Sequence, residues 1–565
     1  MQLCYNEGMI QISGIKVRCP AGDASPAETA AKKLGVQAGE ISRAVVLRES
    51  VDAREKPAVY KVFTIGVESP RGDGWLLAAA KKRRLSASQY TEDRFEIKPL
   101  EHIPEGPRPA VAGFGPCGMF AALALAKLGL RPIVLERGGC MKERVAAVEE
   151  FWAGGRLDPE CNVQFGEGGA GTFSDGKLTT GTRSPYAGWI LRTFAAAGAP
   201  ENILYLAKPH IGTDRLRTAV VNIRKEIESL GGEVRFGCRL ESLEIQDGKL
   251  FAVKYSALDK AGCRKTVTLP CSGLILAIGH SARDTMKNLL SQNILMEQKP
   301  FSIGLRIEHP QKLIDFAQYG AGHEELGLGP ADYKLNVRTS KGRGVYSFCM
   351  CPGGSVVNSS SEEGAIVTNG MSNAARDSGS ANSALLADVL SEDFRSEYLP
   401  EGVSPSDPLA GAALQEKYEK LAFALGGGNG LAPSQTVSSF LDTGTLRIEE
   451  ACVHPSFLPG TCEADLSLCL PDFAADALKE ALPLLGRKLK GFDSPDAVLT
   501  GVESRSSSPV RIKRDPEDLQ GLYDGPERTG IRGFFPAGEG AGYAGGIMSA
   551  AADGVRTALK LAGLI

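Results

Sequence analysis

Residues 113–118 read GFGPCG, with Gly113, Gly115 and Gly118 set around Phe114, Pro116 and Cys117. A short apolar strand (PAVA) precedes the stretch and a helical segment (MFAALALAKLGL) follows it. In that setting each glycine has its own task. Gly113 permits a tight strand-to-helix turn, Gly115 lets the backbone approach a pyrophosphate, and Gly118 lets helix and strand pack closely. The start of the helix then offers unpaired N–H groups and the positive end of its dipole to phosphate. A second apolar segment, RPIVLE, ends in Glu136, 23 residues after Gly113, with Arg137 next to it. A carboxylate there is placed to accept hydrogen bonds from an adenosine ribose. The chemistry expected of this region is the holding of a dinucleotide.

Further glycine-rich stretches bear on which dinucleotide it is. NVQFGEGGAGTFSDGK (162–177) brings Gly168, Gly169, Ala170, Gly171, Ser174 and Asp175. Near the C-terminus, GFFPAGEGAGYAGGIMSAAADGVRTALKLA reads as strand, glycine loop and helix, and contains Gly538, Glu539, Ala544, Gly545, Gly546 and Ile547. LAIGHSAR (276–283) adds the small residues Ala277 and Gly279. A long flavin cofactor needs a pocket built from several loops, whereas a lone nicotinamide-binding unit would not need the C-terminal return. FAD, held without a covalent bond, is therefore expected. GGGNG (426–430) follows a helix-like segment rather than a strand and reads as a helix end. No second full NAD(P) domain is expected, so NAD(P)H would dock only transiently; a protein electron donor is the alternative.

Several residues are candidates for the reaction itself. Lys177 follows the second glycine loop, where its ammonium could reach flavin N5 or pair with a phosphate or carboxylate. His210, in KPHIGTDRL, could relay a proton or serve structurally beside a helix capped by Thr213 or Asp214. His280 adjoins the LAIG loop with the same two readings. Arg505 and Arg511 flank a serine cluster and suit an anionic substrate group, the flavin edge or internal ion pairs. Asn358, Asn369, Asn373 and Asn382 are candidates for a polar substrate pocket. Cys349 and Cys351 alternate along a strand, which puts both thiols on one face where a disulfide would be strained. They read as buried apolar cysteines. The histidines and cysteines show no metal-ligand spacing.

The elements that must position these groups fall into segments. From 9 to 100 the order is strand (IQISGIKVRC), helix with a Ser25 cap (SPAETAAKKLGV), two strands (AVVLRESVDAR, AVYKVFTIGVES), helix (GWLLAAAKKRRL) and strand (FEIKPL). That β-α-β-β-α-β order is the ferredoxin-like α+β sandwich. Lys81, Lys82, Arg83 and Arg84 read as a solvated helix end, with a patch for RNA or a protein partner as the alternative. EHIPEGPRPA is a linker, and α/β patterning follows. The chain of 565 residues has room for two or three domains. With 43% hydrophobic and 23% charged residues it is ordinary for a soluble globular protein, and a net charge of -3 gives no general pull toward nucleic acid or membrane. No apolar run approaches the roughly 20 residues of a bilayer span. The start MQLCYNEGMIQISG lacks a secretory pattern, and thirteen cysteines without paired spacing suit reduced thiols. A cytoplasmic location is expected.

Long motifs then carry a resemblance: RESVDAREKPAVYKVFT, GEGGAGTFSDGKLTT, KPHIGTDRL, CPGGSVVNSSSEEGAIVTNGMS, GVESRSSSPVRI and PAGEGAGYAGGIMSAA. Across nearly its whole length the chain resembles bacterial FAD-dependent dehydrogenases of unassigned substrate, related to glutathione-reductase-type flavoproteins. The resemblance implies an α/β protein with a Rossmann-like FAD-binding domain of that type (101–290 and 500–565). It is joined to an N-terminal ferredoxin-like α+β domain (1–100) and an inserted mixed α/β substrate or cap domain (291–499). It places Glu539 near the ribityl-pyrophosphate region, the LAIG loop after a β-meander, and the last helix with its positive end toward the flavin pyrimidine edge. The function implied is an oxidoreductase acting on a small molecule. An alternative is a flavoprotein whose N-terminal module recruits RNA or a protein.

Overall fold

The computed structural model describes residues 8–92, 94–181, 183–258, 263–525 and 528–565. The amino-terminal segment forms a four-stranded antiparallel sheet in the order Arg43–Glu55, Ala58–Glu68, Ile10–Arg18, Ser86–Gln89. The helices Pro26–Leu34 and Asp73–Lys82 contribute to one core with it through Ala30, Leu34, Leu76 and Ala80. Ser25 caps the first helix: its hydroxyl accepts from the Glu28 N–H at 3.2 Å, while Glu28 reaches back to the Ser25 N–H at 2.7 Å. The closing strand is Ser86–Gln89 and not FEIKPL. Phe95 instead meets Tyr186 and Trp189 edge-on at 4.8 and 6.2 Å, and Ile97 and Leu100 pack on the helices of the next unit. Burial of these apolar side chains won over the extended pairing that their alternation suggests.

Next comes a five-stranded sheet, parallel throughout, in the order Phe534–Pro536, Leu274–Leu276, Ala110–Ala112, Ile133–Leu135, Glu233–Arg235. Its three central strands are apolar and fully buried, as a sheet covered on both faces requires. One face carries the helices Pro116–Lys127, Thr213–Ser229 and Ile547–Leu561. The other carries an antiparallel meander, Cys238–Gln246, Lys249–Leu258 and Arg264–Pro270. Residues from about 108 and from about 530 thus enter one sheet. The helix Thr213–Ser229 is capped by Gly212, not by Thr213 or Asp214. Both of those lie in the first turn and spend their side chains elsewhere, Thr213 on the Thr172 carbonyl and Asp214 on the Ala374 N–H at 2.8 Å.

The third body is a seven-stranded sheet: Asn336–Arg338, Gly344–Cys351, Ser380–Val389, Phe301–Pro310, Val498–Glu503, Ala432–Thr436, Thr461–Glu463. Its largest core lies under the helices Ala410–Leu425 and Asp472–Lys488. Position 499/500, expected as a domain boundary, falls inside the strand Val498–Glu503. Among the described residues no helix is long and apolar enough to cross a membrane, and every cysteine is a free thiol.

Candidate functional site

The strand Ala110–Ala112 runs into Gly113, whose φ of +95° suits a residue without a side chain. A Cβ there would stand 2.3 Å from the Ala277 carbonyl oxygen, and one on Gly118 would stand 1.9 Å from the Gly113 oxygen. Backbone touching backbone leaves no room for any other residue. The helix Pro116–Lys127 begins on Gly115 with no side-chain cap and no acidic residue in its first turn. The helix Ile547–Leu561 begins on Gly546 in the same condition. Both starts face one cavity of about 770 Å³, within the usual range for a ligand site.

Three glycine loops close around that cavity. Gly169 approaches Gly115 so nearly that an added Cβ would lie 2.7 Å from the Gly115 Cα. A Cβ on Gly171 would contact Ile547 at 3.2 Å, and one on Gly538 would fall 2.7 Å from the Cys117 Cβ. The carboxylate of Glu136 ties the first two loops together. It accepts from the Phe114, Gly138 and Gly166 N–H groups at 2.8, 2.9 and 2.9 Å, while its residue still lines the cavity. Three bonds leave a carboxylate with one further acceptor position. Arg137 is held by Glu160 and Asp284 and lies over the Phe165 ring at 4.1 Å.

Of the residues singled out from sequence, Gly113, Gly115, Pro116, Cys117, Glu136, Arg137, Gly169, Ala170, Gly171, Ser174, Asp175, Ala277, Gly279, Glu539, Gly545, Gly546 and Ile547 line the cavity. Gly118, Gly168, Gly538 and Ala544 are not among the lining residues; the three glycines set the approach of the loops, and Ala544 packs against the core beneath. Gly168, for example, donates to the Phe114 carbonyl at 2.9 Å. Lys177 also lines the cavity, but its ammonium is engaged by Asp175 at 3.0 Å and by the Met350 carbonyl. Burial would raise the Asp175 carboxyl. Lys177 and the bidentate Arg376 outweigh it and bring the group down to about 2.

Two of the three catalytic candidates take the structural one of the two readings that the sequence left open. His210 is not among the cavity-lining residues; its backbone bridges Lys177, and burial, with Arg376 nearby, lowers the pKa of its ring below the usual imidazole value. Arg505 reaches the cavity wall, yet its guanidinium is taken up by Glu419 at 2.8 and 3.0 Å and by Ser361. Glu419 also binds Arg283 at 2.8 and 2.9 Å, so Arg505 is one of three members of a buried structural triad and not an open anion site. Arg511 pairs with Glu297 at 3.6 Å. Of the four asparagines only Asn369 lines the cavity. Asn358 and Asn382 are buried and bound to Ser360 and Arg306, and Asn373 points to solvent.

His280 lies in the cavity wall with Nδ1 3.3 Å from Glu539 Oε1, while its buried Nε2 has no partner. An orphaned ring nitrogen beside two uncapped helix starts and a lining of glycine backbone fits a ligand rich in oxygen acceptors and negative charge. Three supporting residues gave no sequence signal. Arg144, fully buried, donates to the carbonyls of Asn162, Val163, Gly166 and Glu167 and so shapes the second loop. Asp553 holds the Gly538 N–H at 2.8 Å and pairs with Arg514. Arg306 braces the seven-stranded sheet against the cavity through Asn382, Glu503 and the Cys349 carbonyl.

Residues 300–506 match the family described as FAD-dependent protein, C-terminal domain-like, and residues 9–68 match a domain of unknown function. An uncharacterized protein of Clostridium beijerinckii is 45% identical over 535 residues, covering 93% of each chain. Among solved structures, a flavin-dependent brominase is similar at 13% identity and a TM-score of 0.34, covering 81% of this chain and 80% of its own. The glycerol-3-phosphate dehydrogenase of Bacillus halodurans, complexed with FAD, has the same identity, TM-score and coverage of this chain, and is itself covered to 64%. The extent of the Clostridium match, together with the region that carries the FAD-dependent C-terminal type, establishes that this chain belongs to the family of that Clostridium protein.

Proposed function

We propose that this protein is a FAD-dependent oxidoreductase of the glutathione-reductase type. It passes hydride or electrons between NAD(P)H or another donor and a small-molecule substrate, in the cytoplasm, with FAD held non-covalently. One observation supports this above the others: three glycine loops, drawn from chain positions over 400 residues apart, meet at a single cavity between two uncapped helix starts.

When bound, the flavin supplies the two-electron chemistry, and the chain supplies binding, orientation and charge. The Gly113–Gly118 turn and the N–H groups at the start of Pro116–Lys127 would hold the pyrophosphate. Glu136 would accept from the adenosine ribose with the position its three backbone bonds leave free. The start of Ile547–Leu561 would face the edge of the ring system where negative charge gathers on reduction. His280, oriented by Glu539, would hold or move a proton at Nε2. The wall formed by Tyr333, Ser347, Phe348 and Asn369 would receive the substrate and exclude water.

The test is the absorption spectrum of the purified protein. A flavin spectrum that bleaches anaerobically on addition of NADH or NADPH is expected if the donor is a nicotinamide. Bleaching by dithionite alone would assign the donor to another class. Protein that stays colourless after incubation with FAD would refute the proposal.

A further inference from the structure

The helix Arg283–Ser291 leaves the loop that carries His280 and stands between two spaces. Thr285 lines the cavity described above, whereas its neighbour Met286 lines a second cavity of about 790 Å³. The helix Ala410–Leu425 forms another wall of that second space. Lining residues recur every three or four positions on both helices, Met286 and Leu290 on one, Ala412, Glu416 and Lys420 on the other. Each helix therefore turns one face inward. The two are tied together by Arg283, which donates to Gln415 at 3.3 Å and to Glu419 at 2.8 and 2.9 Å. Beyond that tie the short side chains of Ala412 and Ala413 leave the space open.

We propose that this second cavity binds a single-chain amphiphile with an anionic head, of the alkyl carboxylate class.

The lining divides into an apolar part and a charged part, as such a molecule does. Met286, Leu290, Val403, Leu409 and Ala412 supply hydrocarbon to the interior. Leu421, 39% exposed, marks the mouth together with the exposed Lys287 and Lys420. The size and the largely apolar lining with a few polar groups are those of a small-molecule site.

Charge selects the head. Among the lining residues Lys287, Lys417 and Lys420 stand against Asp407 and Glu416, while Arg283 is spent on Glu419 and Glu362. One ammonium is in surplus, which matches a single negative charge. Both acids are already engaged, Asp407 by the Leu409 N–H at 2.7 Å and Glu416 by Lys420 at 2.6 Å. Burial would raise the Glu416 carboxyl, but Lys420, Arg283 and Lys287 outweigh it and hold the group below the usual carboxylate range. Lys417 spends two of its three donors on the carbonyls of Glu397 and Leu399, at 2.9 and 3.2 Å, and Lys420 spends one on Glu416. The donors left over suit the charge-assisted bonds of a carboxylate.

This site does not depend on the function proposed above. Thr285 and the buried cluster of Arg283, Glu419 and Arg505 stand between the two cavities, so a flavin in the first leaves the second free.

Isothermal titration of flavin-loaded protein with dodecanoate, kept below its micellar concentration, provides the test. Saturable binding is expected, weaker by about fifteenfold for decanoate, the factor that two methylenes give at about 0.8 kcal/mol each. Ala413→Trp, which fills the cavity, should abolish the binding with the flavin spectrum retained. Lys287→Glu, on the exposed mouth, should weaken dodecanoate and strengthen dodecyltrimethylammonium, a reversal that loss of folding does not produce. Absence of saturable binding, equal affinity of wild type for both amphiphiles, or unchanged dodecanoate affinity in either variant would overturn the site. With an intact flavin spectrum, any of these leaves the proposed function standing. Dodecanoate bound by protein that takes up no flavin would do the reverse.

Discussion

Replacing Gly554 by alanine is the sharpest perturbation of the place where the two ends of the chain touch. Gly554 lies in the buried face of the helix Ile547–Leu561, against the first turn of Pro116–Lys127. An added Cβ would sit 2.2 Å from the Cys117 carbonyl oxygen, 3.0 Å from its carbon and 3.2 Å from its Cα. Ordinary carbon–oxygen contacts begin at about 3.3 Å, so the helices must part by about 1 Å. The obstacle is backbone, so no rotamer change relieves it. Overpacking of this kind costs about 1–3 kcal/mol, and the better helix propensity of alanine returns about 1 kcal/mol. The net loss of stability is therefore small, at most about 2 kcal/mol, while both cavity-facing helix starts are displaced. Gly554→Ala should melt close to wild type yet lose affinity for FAD by about tenfold or more, as measured by fluorescence titration of apoprotein. Arg556→Ala, exposed on the same helix, should change neither property. Unaltered FAD affinity in Gly554→Ala would refute the close approach of these helices as the basis of the site.

Other outcomes can be checked independently. Glu308 is buried, and burial pushes its carboxyl up to about 7 against two bonds from Ser456. Its folded value lies above the unfolded one, so its contribution is full below about pH 4.5 and is lost as pH rises through 7. The difference amounts to about 3 kcal/mol. Glu308→Gln should therefore be more stable than wild type in urea melts at pH 8 and not at pH 4.5; parallel pH profiles would count against this. Arg144→Met removes the donor shared by four carbonyls of the second glycine loop and should cost about 3–5 kcal/mol, with residues 162–177 becoming cleavable in limited proteolysis. Glu419→Gln leaves Arg283 and Arg505 facing each other in a buried site and should cost about 3–5 kcal/mol in thermal melts. The double variant Glu419→Gln/Arg505→Met should recover part of that loss.

What could be read from sequence was local in cause. The Ser25–Glu28 capping box needs only four consecutive residues, and the spacing of Gly113, Gly115 and Gly118 answers to one turn and one helix start. The convergence of the 162–177 and 536–547 loops was legible because both announce the same need for bare backbone. Long-range pairing was not legible. Nothing near Arg505 in the chain reveals Glu419, so the sequence could not decide between an internal ion pair and an anion site. Thr213 and Asp214 looked like a cap until the Thr172 carbonyl and the Ala374 N–H claimed their oxygens. FEIKPL alternates as a strand does, but the aromatic partners that turn it into a packed segment lie about 90 residues on. The bulge at Cys349 depends on the register with Ser380–Val389, and for that reason one of two thiols that alternation places in a core, Cys349, stands at the cavity wall.

The central claim is that both ends of the chain clasp one adenine-containing flavin. Its most direct measurement is to saturate the protein with FAD, remove the excess, denature the protein with heat and identify the released cofactor by chromatography and mass. The account calls for one FAD per chain in the supernatant, abolished by Gly115→Arg and sharply reduced by Glu539→Lys. Recovery of no flavin, or of a full complement from both variants, would contradict it.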